Sequence, residues 1–222
     1  MAGDKRGVTE LFLRNNFFMK AKAGVTPGLD DLKMMSYLQI RTRYAVEIIK
    51  ADSDSRIPSQ DEVIAIGYPY LGGVVAYIYQ SGDNGYVSGQ MHGIIAAATD
   101  EAATLSWFTS SSYTNATDSY AGAGAINTPK IVLACGRVYT YAARQCDEKS
   151  LNGYSDWQLP CYWELSAMYN NRVAIGGFAA GSYWSSTEDN ANNAFTINFA
   201  VSAAYISSAK TSLTKVRAIR YF

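Results

Sequence analysis

Apolar residues fall at helical spacing most clearly near the front of the chain. Leu32, Met35, Leu38, Tyr44 and Ile48 line one side of a helix predicted over residues 29–50, with Arg41, Arg43 and Lys50 on its other faces. A shorter helix is predicted over residues 10–23, separated from the first by Gly24, Val25, Thr26, Pro27 and Gly28. An apolar stripe with little core of its own packs on another body, so residues 1–55 read as a helical attachment or oligomerisation arm, a route to a homo-oligomer. The run Asp52, Ser53, Asp54, Ser55 is a polar linker, and Ser59 with Glu62 forms a capping box at the start of the main domain, residues 56–222.

Beyond the linker the period changes. Val74 to Tyr79 is the clearest strand, followed by a turn at Ser81, Gly82, Asp83, Asn84 and Gly85. His92 opens a second apolar run through Ala97, residues 106–127 read as loop with short strand pieces, and residues 129–145 as a helix. That helix would bury Ile131, Val132, Ala134, Cys135, Val138 and Ala142. Alternation at Phe195, Ile197 and Phe199 predicts a strand with those three inward and Ala194, Thr196 and Asn198 outward. The class is α+β.

Composition removes several functions. The 222 residues are 48% hydrophobic and 17% charged, a globular balance, and 17 Tyr with 18 Gly favour strands, turns and contact surfaces. Nineteen basic and nineteen acidic residues cancel, so no field favours nucleic acid or an anionic membrane. The uncharged stretch 63–81 is interrupted by Gly67, Pro69, Gly72 and Gly73 and reads as paired strands rather than a membrane span, while charges within the first twenty residues leave no secretory apolar region. Cys135, Cys146 and Cys161 form no metal-ligand spacing; they read as free buried thiols, with a Cys135–Cys146 disulfide as the alternative. His92 is the only histidine, no nucleophile, phosphate-loop or dinucleotide motif occurs, and the acidic pairs Asp61/Glu62 and Asp100/Glu101 fall at helix starts or turns. We therefore expect no enzyme, no catalytic residue, no metal and no cofactor.

The second half carries ordered motifs: Gly153-Tyr154-Ser155-Asp156-Trp157-Gln158-Leu159-Pro160, then Glu164-Leu165, then Tyr183-Trp184-Ser185-Ser186-Thr187-Glu188, and finally Val216-Arg217-Ala218-Ile219-Arg220. Leu159-Pro160 places a fixed φ at a strand-to-helix junction, Trp157 and Trp184 suit core anchors, and Arg217 and Arg220 suit pairing with Glu164, Glu188 or backbone carbonyls. Together with Gly73 to Ile78, Gly82-Asp83, Gly85-Tyr86 and His92 to Ala97, this order resembles the C-type-lectin-like domains that end bacterial adhesins of the Lcl type, over residues 70–222. The resemblance implies a loop-rich mixed sheet with flanking helices, in which N- and C-terminal strands pair and a long loop region presents ligand contacts. It implies no calcium: the Glu-Pro-Asn or Gln-Pro-Asp loop of calcium-dependent lectins is missing, and Asp189 with Asn190 is a poor oxygen cage. The fold also resembles formylglycine-generating enzymes, but no cysteine follows Cys161 to supply their paired thiols.

One stretch points to function. The 25 residues from Asn190 to Thr214 carry a single charge, Lys210. Every other residue there can be encoded by an AAC codon with both adenines replaced at will. Adenine-directed mutagenesis by a diversity-generating retroelement produces that set, and such elements act on this end of C-type-lectin-like domains, where the resemblance implies an Asn-rich stretch. Tyr and small polar residues on a rigid scaffold bind as antibody loops do. The expected function is a ligand- or receptor-binding protein with a variable face over about residues 189–215. Its contacts would be Asp189, Ala191, Asn193, Thr196, Ala200, Ser202, Tyr205, Ser207, Thr211 and Leu213, and its partner a protein or glycan receptor on a cell surface. Host recognition on a phage virion, or adhesion at a bacterial surface, fits that face. The alternatives are a structural tail or fibre subunit without diversified binding and, behind it, an enzyme related to the formylglycine-generating fold.

Overall fold

A computed structural model of the chain describes residues 9–13, 17–21, 64–101, 103–109, 111–201 and 204–222, the first two stretches by backbone pairing alone. Those two stretches are strands, β1 (Thr9–Leu13) and β2 (Phe17–Ala21), paired antiparallel from Thr9↔Ala21 to Leu13↔Phe17. This corrects the helix expected over residues 10–23. Thr9, Phe12, Phe17 and Phe18 favour extended backbone, and Asn15-Asn16 between the strands is a turn-favouring pair. The helix over 29–50, the polar linker and the Ser59/Glu62 box lie outside the described residues.

In the main domain, β3 (Pro69–Tyr70), β4 (Gly73–Ile78), β5 (Gly93–Ala96) and β9 (Ile219–Tyr221) form an antiparallel sheet in the order β3-β4-β5-β9. The chain's last strand therefore closes against β5, with Ile94 opposite Tyr221 and Ala96 opposite Ile219. Leu71 and Gly72 form the two-residue turn between β3 and β4, both at positive φ (42° and 86°), as a primed hairpin turn requires. Leucine rarely adopts such a φ; here its carbonyl accepts a 3.0 Å hydrogen bond from Arg220 Nη1.

A second antiparallel sheet, in the order β6-β7-β8, consists of β6 (Ser182–Glu188), β7 (Asn193–Asn198) and β8 (Tyr205–Ala209). Among the described residues four helices complete the fold: α1 (Gly124–Cys135), α2 (Ala142–Asp147), α3 (Tyr162–Asn170) and α4 (Arg172–Ile175). The helix expected over 129–145 is thus two helices. Gly136, at φ 70°, stops α1, and Tyr141 donates a 2.8 Å bond to the Gly136 carbonyl across the break. Ile131, Val132 and Ala142 are buried as expected, but Ala134 in the last turn of α1 is exposed, Cys135 is half-buried, and Val138, past the break, is exposed. Pro160 stands one residue before the Cys161 cap, just outside α3 rather than in its first turn.

Two apolar clusters make up most of the core. One gathers Trp107, Trp157 and Trp184 under α1 and α2; the other packs Ala76, Ile94, Leu165, Met168, Tyr183 and Ile197 between the sheets and α3. The tryptophan motifs are anchors: Trp184 Nε1 donates to Leu105 O at 2.8 Å and Trp157 Nε1 to Tyr154 O at 3.1 Å. The terminal arginines pair with aspartates rather than the expected glutamates. Arg217, fully buried, holds Asp100 and the carbonyls of Ala97 and Gly177. Arg220 grips Asp156 through Nε (2.7 Å) and Nη2 (2.9 Å), tying the central motif to the last strand.

The Arg220 hydrogen bonds hold the Asp156 carboxyl below its usual range. A depressed folded pKa contributes stability that is present above the unfolded value, about 3.9, and lost as pH falls through the folded one. Asp156→Asn is therefore expected to flatten the acid limb of stability below about pH 4. The Asp156 side chain is half exposed, so its effect at neutral pH stays small. Thermal melts from pH 3 to 7 check this; an unchanged acid limb would reject it.

Candidate ligand-binding face

The C-terminal sheet is built so that β7 is covered and β8 is open. In β7, Ala194, Thr196 and Ile197 are buried and Phe195 is half-buried, whereas β8 exposes Tyr205, Ile206, Ser207 and Ala209. The register sets Phe195 opposite Ser207 and Ile197 opposite Tyr205, so these four share one side. Tyr162 at the start of α3 lies over that side. The rings of Tyr162 and Tyr205 are 5.2 Å apart and those of Phe195 and Tyr205 5.3 Å, both edge to face. Burial, and after it the neighbouring Tyr205 hydroxyl, push the Tyr162 hydroxyl pKa up. Asp189 closes the polar end of the patch: its Oδ2 accepts from Ser207 Oγ at 2.6 Å and Asn190 Nδ2 at 2.9 Å. The result is an aromatic surface, Tyr205 59% exposed, with a carboxylate and a hydroxyl at its rim.

Lys210, immediately after β8, fixes this surface to the core. Its side chain is 1% exposed, and Nζ donates to Glu188 Oε1 at 2.5 Å and Ser112 O at 2.8 Å and lies 4.7 Å from the Trp107 ring centroid. Glu188, at the end of β6, also accepts from the backbone N–H groups of Thr114 (2.9 Å) and Asn115 (3.0 Å) and from Thr114 Oγ1 (3.2 Å). Asn115 at φ 59° turns two successive N–H groups towards one carboxylate. Lys210 O accepts from Trp107 N and Phe108 N, and Lys210 N donates to Asn192 O. One buried ion pair thus joins β6, β8, the loop through residue 115 and the β6–β7 turn.

A family model described as the Lcl C-terminal domain matches residues 96–220, more than half of the chain. The chain belongs to the Lcl C-terminal domain family. The matched stretch of this Lcl C-terminal domain contains every expected contact residue and both terminal arginines, and leaves β3, β4 and most of β5 outside. No curated protein matches the chain. Among solved structures, the chain is similar to a fimbrial protein from Bacteroides ovatus, with 16% identity and a TM-score of 0.45, the match covering 77% of this chain and 44% of that one.

Of the expected contacts, the Lcl C-terminal domain brings Asp189, Asn193, Tyr205 and Ser207 together around the aromatic patch. Ala191 is half-buried in the β6–β7 turn, Ala200 is exposed beyond the opposite end of β7, and Thr211 and Leu213 are exposed past Lys210. Ser202 lies outside the described residues. Thr196 is a correction: it is fully buried, its Oγ1 donating to Ile206 O at 3.2 Å and sharing a 2.9 Å hydrogen bond with Ser208 Oγ. Ala194 is buried too, because β7 is the central strand and both its faces are covered, so strict inward–outward alternation fails there. Conversely Phe195, assigned inward, and Tyr162, not singled out at all, wall the patch. No local signal marks Tyr162; only the packing of α3 against β7 places it.

The groups weighed for chemistry find partners within the domain or stand as free thiols. His92 Nδ1 lies 3.3 Å from Phe222 O and Nε2 2.9 Å from Gln90 Oε1. Cys135, Cys146 and Cys161 are free thiols; burial pushes the Cys135 thiol up to about 12 and raises the other two as well. Among the described residues no cluster of three or more His, Cys, Asp or Glu could hold a metal ion, and no helix is long and apolar enough to cross a membrane.

Proposed function

We propose that this domain is a non-enzymatic ligand- or receptor-binding module on a C-type-lectin-like scaffold. Residues 189–215 form its sequence-variable face, acting in recognition of a protein or glycan receptor from a phage virion or a bacterial surface. The observation that carries this reading is the division of labour within the stretch. Between residues 190 and 214, Lys210, the one residue there that an AAC codon cannot reach, is the buried clamp, while Tyr205, Ser207, Thr211 and Leu213 stand exposed on the frame it fixes. A rigid frame with exposed Tyr and Ser limits the entropy cost of binding. Residues 1–55 act as the attachment or oligomerisation arm, a role supported by the apolar stripe from Leu32 to Ile48.

Replacing Ala200, Tyr205, Ser207, Thr211 and Leu213 together with other AAC-reachable residues is expected to change each contribution to stability by no more than about 0.5 kcal/mol. Binding to a panel of bacterial cell surfaces should nevertheless change sharply. Tyr205→Ala alone should weaken capture by more than about 2 kcal/mol, as central interface aromatics do. Paired thermal melts and cell-binding titrations decide it. Loss of the fold in the multiple variant, or unaltered cell binding, would exclude the variable face.

A further inference from the structure

We propose that a shallow cleft beyond the far end of β7 is a second binding subsite, one that takes a carboxylate flanked by an apolar group. The cleft encloses about 390 Å³, and its lining includes Arg172, Gly177, Phe178, Ala180, Phe199 and Ala200. Its floor is aromatic, with the Phe178 and Phe199 rings 4.6 Å apart and Tyr169 5.3 Å from Phe199. Its polar element is Arg172, whose guanidinium lies 3.9 Å from the Tyr169 ring centroid and donates one hydrogen bond, from Nη1 to Tyr169 O at 2.8 Å.

Arg172 differs from the other arginines between residues 64 and 222. Arg137, Arg144, Arg217 and Arg220 each pair with an aspartate or glutamate, whereas Arg172 joins no ion pair among the described residues. Stacking and the Tyr169 carbonyl fix its plane, and Nε and Nη2 remain to present a fork suited to a carboxylate. The neighbouring acid, Asp100, does not compete: it is held by Arg217 Nε (2.7 Å), Tyr183 OH (2.5 Å) and Ala179 N (3.2 Å). The same contacts, with the Gly177 carbonyl held by Arg217, fix the cleft wall before any ligand arrives. Arg172 lies outside the 189–215 stretch, so this subsite stands whether or not that stretch is diversified.

A peptide's free C-terminus and an acidic sugar both present this chemistry, and the test separates them. The intact chain is titrated by NMR with N-acetylphenylalanine, its uncharged amide, and the methyl glycoside of N-acetylneuraminic acid. At least one acid is expected to shift the resonances of residues 172–180. The amide should bind about tenfold or more weakly than N-acetylphenylalanine if that is the acid which binds, and affinity should fall as salt rises. Arg172→Gln should remove binding to the same degree, and so should Ala180→Glu, which places a carboxylate at the exposed rim. The second variant keeps the test decisive should the first disturb the fold. Binding of either acid with this sensitivity supports the subsite and identifies its source. No shift with either acid, or acid binding that survives both variants, overturns it.

Discussion

Lys210→Ala is expected to destabilise the domain by about 3–5 kcal/mol, the cost of removing one partner from a buried ion pair. The loss is large because Glu188 cannot leave: its carboxylate is fixed by two backbone N–H groups and the Thr114 hydroxyl, and its side chain is fully buried. Removing Nζ strands that charge and leaves the Ser112 carbonyl without its 2.8 Å donor. Against a total stability of roughly 5–15 kcal/mol, the melting temperature should fall by about 10 °C. Lys210→Met, which keeps the aliphatic stem against Trp107, should lose nearly as much. Combining it with Glu188→Leu should recover a measurable part, since the stranded charge is then gone. Double-mutant melts check this; a Lys210→Met protein as stable as the parent would show that the pair contributes nothing.

Glu164→Ala should be of similar size for a different reason. Glu164 is fully buried in α3, and four donors converge on it: Gly122 N (2.8 Å) and Tyr221 OH (2.6 Å) on Oε1, with Cys161 N (2.7 Å) and Gly124 N (3.2 Å) on Oε2. Burial raises its pKa, and the Tyr221 and backbone hydrogen bonds pull it back. Truncation relieves the desolvation but orphans donors on three separate segments, each costing about 1–3 kcal/mol if no water replaces the carboxylate. A net loss of about 3–4 kcal/mol is expected by denaturant titration. Glu164→Gln should recover only part of the loss, because its amide NH2 must face at least the Gly122 N–H even with the Tyr221 hydroxyl turned to accept. A Glu164→Gln protein of full stability would show that the site does not depend on a carboxylate.

Both hubs bear on what can be read from residues in order. The sequence by itself determined the elements whose cause is local: the strand from Val74, the turn at Ser81 to Gly85, the run after His92 and the entry into a helix after Leu159-Pro160. It also marked Trp157 and Trp184 as anchors. Local pattern misled where two periods compete. Residues 10–23 carry apolar positions compatible with a helix, yet residues 9–13 and 17–21 pair as antiparallel strands. Residues 129–145 keep a helical stripe across a glycine that ends the helix.

Partners distant in sequence were decided by the tertiary structure alone. That Arg217 meets Asp100, Arg220 meets Asp156 and Lys210 meets Glu188 depends on which strands lie side by side, and like-charged candidates are indistinguishable in a linear chain. Exposure within the face was settled the same way. Thr196 and Tyr205 belong to the same compositional stretch, but one lies on a central strand covered on both faces and the other on the open edge strand. Strand order, which no period of two can encode, separates the buried position from the exposed one.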